Sequence, residues 1–190
     1  MRIATGGCLA LLSCKLLNLE YGAFFCVYPM LLLGLAPRIN AHLIRQFFAQ
    51  GMLVSVEIAL LYGLFGGRPL VITPLIFLSF CYRFALMAKG NHFMFGALGA
   101  VFLSIQLNFA SYPQTDVIDM LGYNSWAILQ ATAIAVLMFY VFPDSEPRQA
   151  RTPPNKDLPS RRHEALLGAT VATLSVVVFQ CLNLHDSLSA

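Results

Sequence analysis

Charge is scarce in this sequence: Asp, Glu, Lys and Arg make up 11% of its 190 residues, where a soluble domain carries about 25%. A disordered chain needs high charge and few aromatics. Here 12% of residues are aromatic and 58% hydrophobic, so disorder is excluded. One small core cannot hide that much apolar surface, which excludes a monomeric soluble enzyme. A net charge of +3 makes no basic stripe and excludes a nucleic-acid binder. Catalytic punctuation is missing too. The chain has no Gly-x-Ser-x-Gly, His-Glu-x-x-His or Gly-Lys-Ser/Thr, so hydrolysis and ATP consumption lack a visible nucleophile, metal or phosphate loop. Cys8, Cys14, Cys26, Cys81 and Cys181 sit singly in apolar stretches without a Cys-x-x-Cys spacing and read as packing residues. His42, His92, His163 and His185 show no metal-ligand spacing. The expectation is a non-enzyme without cofactor or metal.

What is present is hydrophobic length. Mean hydropathy is +0.70, and a membrane span needs about 20 mostly apolar residues. Spans are predicted over 3–19, 21–36, 47–65, 69–87, 93–110, 126–142 and 165–184. The second is the shortest, either a steeply packed helix or a re-entrant segment. None alternates at period two, which disfavours an outer-membrane barrel. The predicted class is an all-α polytopic transmembrane bundle.

Positive charge orients it. With the N-terminus cytoplasmic, Arg2, Arg38, Arg45, Arg83, Lys89, Arg148, Arg151, Lys156, Arg161 and Arg162 fall on or near that side, and only Lys15 and Arg68 toward the other. Ten against two is a strong positive-inside bias. Residues 143–164, with four prolines after Pro143 and a basic end, read as a cytoplasmic linker.

Beyond that linker the chain begins again. The stretch Gly-Gly-Cys-Leu-Ala-Leu-Leu-Ser at 6–13 matches Gly-Ala-Thr-Val-Ala-Thr-Leu-Ser at 168–175 in four of eight positions. With six helices between the copies, both would point the same way, as in parallel-repeat transporters. The organisation expected is a six-helix unit over 1–142, the linker over 143–164, and a seventh helix over 165–190 that opens a second repeat.

Several features carry a family likeness. A helix begins at Arg2, and a near-immediate return helix ends in Leu-Gly-Leu-Ala-Pro. A basic turn from Arg38 to Arg45 leads into a long third helix, Leu-Phe-Gly-Gly-Arg-Pro occupies 64–69, and the sixth span ends at Phe142-Pro143. In these the chain resembles the fusaric-acid-resistance-like (aromatic acid exporter) superfamily, nearest its compact uncharacterised branch (DUF2955-like). The resemblance implies a bacterial inner-membrane protein that exports small organic acids or toxic compounds with a periplasmic membrane-fusion adaptor. Family members typically have two six-helix halves. This chain has one half plus a helix, so it would need a homodimer or a separate second half.

Ionisable residues inside spans mark function by default. Glu57 falls near the bilayer middle and Arg83 near the cytoplasmic end of the next, antiparallel span, so the two are expected to pair. Glu57 suits proton coupling or gating, because a low dielectric favours a neutral carboxyl until its surroundings open. Lys15 could meet an anionic substrate or snorkel to the interface. Gln106, Asn108 and Gln130 could bond a carboxylate or join helices, and in a lone half they would face lipid. Arg38, His42 and Arg45, at helical spacing on one face, could attract anions to the cytoplasmic mouth or form a solvated anchoring face. The leading expectation is an efflux permease component for small organic, aromatic or anionic, compounds, proton-coupled and acting with an adaptor. The alternative is a non-transporting scaffold or assembly subunit, or an inactive truncated product.

Overall fold

The computed structural model describes residues 2–35, 39–66, 68–89, 93–112, 115–143 and 158–181. Among them all regular structure is helical: α1 (Arg2–Leu16), α2 (Gly22–Leu35), α3 (Ala41–Phe65), α4 (Pro69–Ala88), α5 (Phe93–Ala110), α6 (Val117–Val141) and α7 (Leu158–Cys181). The chain is a multi-pass helical protein of membrane type.

Five of the seven, α3 to α7, are long and apolar enough to cross a bilayer. The first two expected spans are shorter than anticipated. At 15 and 14 residues, α1 and α2 measure about 22 and 21 Å at 1.5 Å per residue, against a hydrocarbon core of about 30 Å. The chain leaves α1 through a Schellman ending. Asn18 turns left-handed (φ 47°), its N–H donates to the Lys15 carbonyl at 3.3 Å, and the Leu19 N–H reaches Cys14 at 3.0 Å. Asn tolerates this conformation better than most residues.

Three helices start earlier than hydropathy indicates, and each has a local cause. Asn40 caps α3: its Oδ1 accepts from the Leu43 N–H at 2.7 Å, so the helix begins six residues before Phe47. Asp116 caps α6 by accepting from the Ile118 N–H at 2.8 Å, nine residues before Trp126, and Asp119 adds an acid to the positive end of the helix. Helix α7 begins at Leu158, within the stretch read as linker. Pro159 lies in its first turn, where a missing N–H costs nothing.

The helices form two compact units: one from residues 1–51 and 119–151, the other from 52–118 and 152–190. In the first, α1 and α2 make an antiparallel hairpin with glycines at the seam. A Cβ on Gly6 would strike Leu33, and one on Gly7 would strike Met30. The α6 helix runs along this hairpin, with Thr5 Oγ1 3.4 Å from the Met138 sulfur and the Arg2 guanidinium 4.4 Å above the Phe139 ring. Buried Tyr28 donates to Asn124 Oδ1 at 2.5 Å. In the second unit α4 packs on both α5 and α7. Gly96 brings α5 against the α4 backbone, and Gly168 brings α7 against the Phe84 ring.

Candidate functional site

Glu57 and Arg83 form the site in the second unit. Glu57 lies eight residues before the end of α3, and Arg83 fourteen after the start of α4, so their Cα atoms differ in depth by about 9 Å. Side chains on a helix lean toward its N-terminus, and in an antiparallel pair those leans converge. The Arg83 guanidinium accordingly folds back along α4, donating Nη1 to the Ser79 carbonyl at 3.1 Å. Nη2 meets Glu57 Oε2 at 2.5 Å and Nη1 meets Oε1 at 3.4 Å. The expected pair is made, and both groups are turned from the surface to different degrees.

Exposure is unequal. The Arg83 side chain is 2% exposed and that of Glu57 23%. Arg83 Nε has no hydrogen-bond partner among the described residues. Both Glu57 and Arg83 line a groove of about 570 Å³ whose other walls include Leu53, Leu60, Leu75, Leu78 and Tyr82. The cation is the more enclosed of the two, and the anion is the more open to the groove.

The other candidates fall elsewhere. Gln130 donates to Ser13 Oγ and ties α6 to α1, a joining role rather than a lipid-facing one. Gln106 does not face lipid either: it is fully buried, and neither of its amide atoms has a partner among the described residues. Asn108 is half-buried beside a separate cleft. Lys15 is exposed in the last turn of α1. His42 and Arg45 are exposed on the first turns of α3 itself, where His42 Nε2 lies 3.0 Å from Gln46 Nε2; Arg38 lies outside the described residues. Among the described residues no three His, Cys, Asp or Glu side chains converge on a point that could hold a metal. Sequence reading missed Gln50, fully buried and without a partner among the described residues, and the Tyr28–Asn124 bond. A polar residue inside a predicted span was their only available signal.

Residues 1–138 match the family described as proteins of unknown function, DUF2955. The chain belongs to the DUF2955 family. The DUF2955 match takes in Glu57, Arg83, Gln106 and Gln130 and stops before α7. No curated protein and no solved structure matches the chain.

Proposed function

We propose that this DUF2955 protein is a permease component that moves small organic compounds out across a bacterial inner membrane, with Glu57–Arg83 as its coupling or gating element. The observation that carries the reading is the ion pair itself. A charge placed among apolar spans is expensive, and it persists where it pairs or does work. Most of this pair's burial falls on the cation, leaving the carboxylate able to exchange its partner for a proton or ligand entering the groove. The resemblance to aromatic acid exporters supplies the substrate class, the periplasmic adaptor and the need for a second copy. The ten-against-two distribution of Lys and Arg supports a cytoplasmic N-terminus.

A static scaffold is the reading to beat, favoured by the Arg83 bond to the Ser79 carbonyl, which pins the guanidinium to its own helix. Proteoliposomes loaded with a fluorescent aromatic acid and subjected to a proton gradient separate the two. Gradient-dependent efflux that is lost in Glu57→Gln, while the variant remains folded, supports the permease. Wild-type vesicles that retain the dye as empty ones do, with or without an added adaptor, would leave the scaffold.

A further inference from the structure

A second cavity lies between α5 and α7, with about 370 Å³ of space. It shares no lining residue with the groove at Glu57. Its volume falls in the range of small-molecule sites, roughly 300–1,000 Å³. The two walls differ in degree. Ser104 and Asn108 of α5, with Ser111 just past its end, make one wall mostly polar, whereas on the α7 wall Ala172, Val176 and Phe179 sit beside Ser175 and Gln180.

The hydrogen-bond inventory is specific. Ser104 donates to the Ala100 carbonyl at 2.8 Å, Ser111 to that of Asn108 at 2.6 Å, and Ser175 to that of Val171 at 2.9 Å. All three hydroxyl protons are therefore committed, and each oxygen offers lone pairs to the cavity. The Asn108 and Gln180 amides also line the cavity and can both donate and accept. No lining residue carries a charge.

We infer that this cleft binds a small, flat, uncharged molecule with an apolar body and a hydroxyl or N–H donor on one edge, of the phenol type. Its donor meets the serine lone pairs or the Asn108 carbonyl, and its ring lies on Val176 and Phe179. A carboxylate would lose its hydration with no counter-charge and only amide donors to replace it. A lipid acyl chain would leave the Asn108 amide unsatisfied against hydrocarbon. The site does not depend on transport by the chain.

The test is equilibrium binding to the full chain in zwitterionic nanodiscs, with empty discs as the partition control. Three probes of one ring system are compared: naphthol, naphthoate and methoxynaphthalene. Naphthol should bind saturably, one per chain, with the other two about tenfold weaker, the worth of one good hydrogen bond. Asn108→Leu should weaken naphthol about fivefold to tenfold and bring it level with methoxynaphthalene. Ala172→Phe, on the opposite wall, should abolish saturable binding of all three, which keeps the test decisive if the Asn108 variant does not fold. Naphthoate binding as tightly as naphthol, methoxynaphthalene binding equally well, or uptake no greater than by empty discs would each overturn the inference.

Discussion

Removing Glu57 alone should destabilise the protein more than removing both members of the Glu57–Arg83 pair, and the two single losses should be unequal. Glu57→Gln leaves the Arg83 guanidinium 2% exposed with only the Ser79 carbonyl and one amide oxygen to accept from it. An uncompensated buried charge costs about 3–5 kcal/mol. Arg83→Met leaves a carboxylate that is 23% exposed on the groove, where the side chain is free to reorient and relieve part of what was lost. That single change should cost about 1–2 kcal/mol, the scale of lost charge-assisted hydrogen bonds. The double variant leaves no orphaned charge and should lie within about 1–2 kcal/mol of the parent. The coupling energy should then reach at least about 2 kcal/mol. The folded fraction in mixed micelles, titrated with SDS and followed by far-ultraviolet circular dichroism, measures all four corners of the cycle. A double variant as unstable as the sum of the singles would refute the pairing. Equal single losses would refute the account based on unequal burial.

Gly96→Ala should cost about 1–3 kcal/mol in the same titration, because its Cβ would sit 2.5 Å from the Arg83 carbonyl oxygen and 2.9 Å from the Met87 nitrogen. Gly7→Ala should cost under about 1 kcal/mol, since the atoms it meets are those of the flexible Met30 side chain; equal losses would contradict this contrast. Gln106→Leu should stabilise by about 1–3 kcal/mol, the desolvation cost of a buried amide without partners, and a loss of stability would mean the amide is satisfied. Asn40→Ala should cost about 1 kcal/mol by removing the α3 cap, and hydrogen exchange should rise at Leu43 but not at Glu57.

Hydropathy marked where the apolar stretches lie but not where the helices start. The fourth and fifth spans begin as read, because Pro69 fixes the first turn of α4 and the apolar run at Phe93 follows directly on the polar sequence Lys-Gly-Asn-His at 89–92. The third and sixth begin early because Asn40 and Asp116 accept from backbone N–H groups well before the apolar run. The Glu57–Arg83 pair was legible since a short turn joins its two helices and sets their relative depth. Gln130 on Ser13 and Tyr28 on Asn124 join residues about a hundred positions apart, and no spacing rule reaches that far. The aligned stretches 6–13 and 168–175 are instructive in another way. Gly6 and Gly168 align and each lets a helix approach closely, yet Gly6 meets Leu33 and Met138 whereas Gly168 meets Phe84. A repeated glycine here records a repeated need for closeness, not a repeated neighbourhood.

The short α1–α2 hairpin bears on how the chain sits in a membrane. Along it, α6 serves as a ruler. Arg2 stacks on Phe139 at the hairpin's open end, and Tyr21 lies 5.5 Å from Tyr123 at its tip. From Tyr123, α6 runs back six more residues to Val117, about 9 Å, which agrees with the shortfall of about 8 Å between α1 and a 30 Å core. Leu16 and Leu17 at the tip are 75% and 67% exposed, an arrangement that suits hydrocarbon and not water. Lys15 beside them must then extend to the headgroups, or the bilayer must thin over the hairpin, at fractions of a kcal/mol per Å. Either way the hairpin returns to the side from which it left. Arg2 and Arg45 share that side whether or not the hairpin crosses fully, so the side on which α3 begins does not depend on how deep the first two helices go.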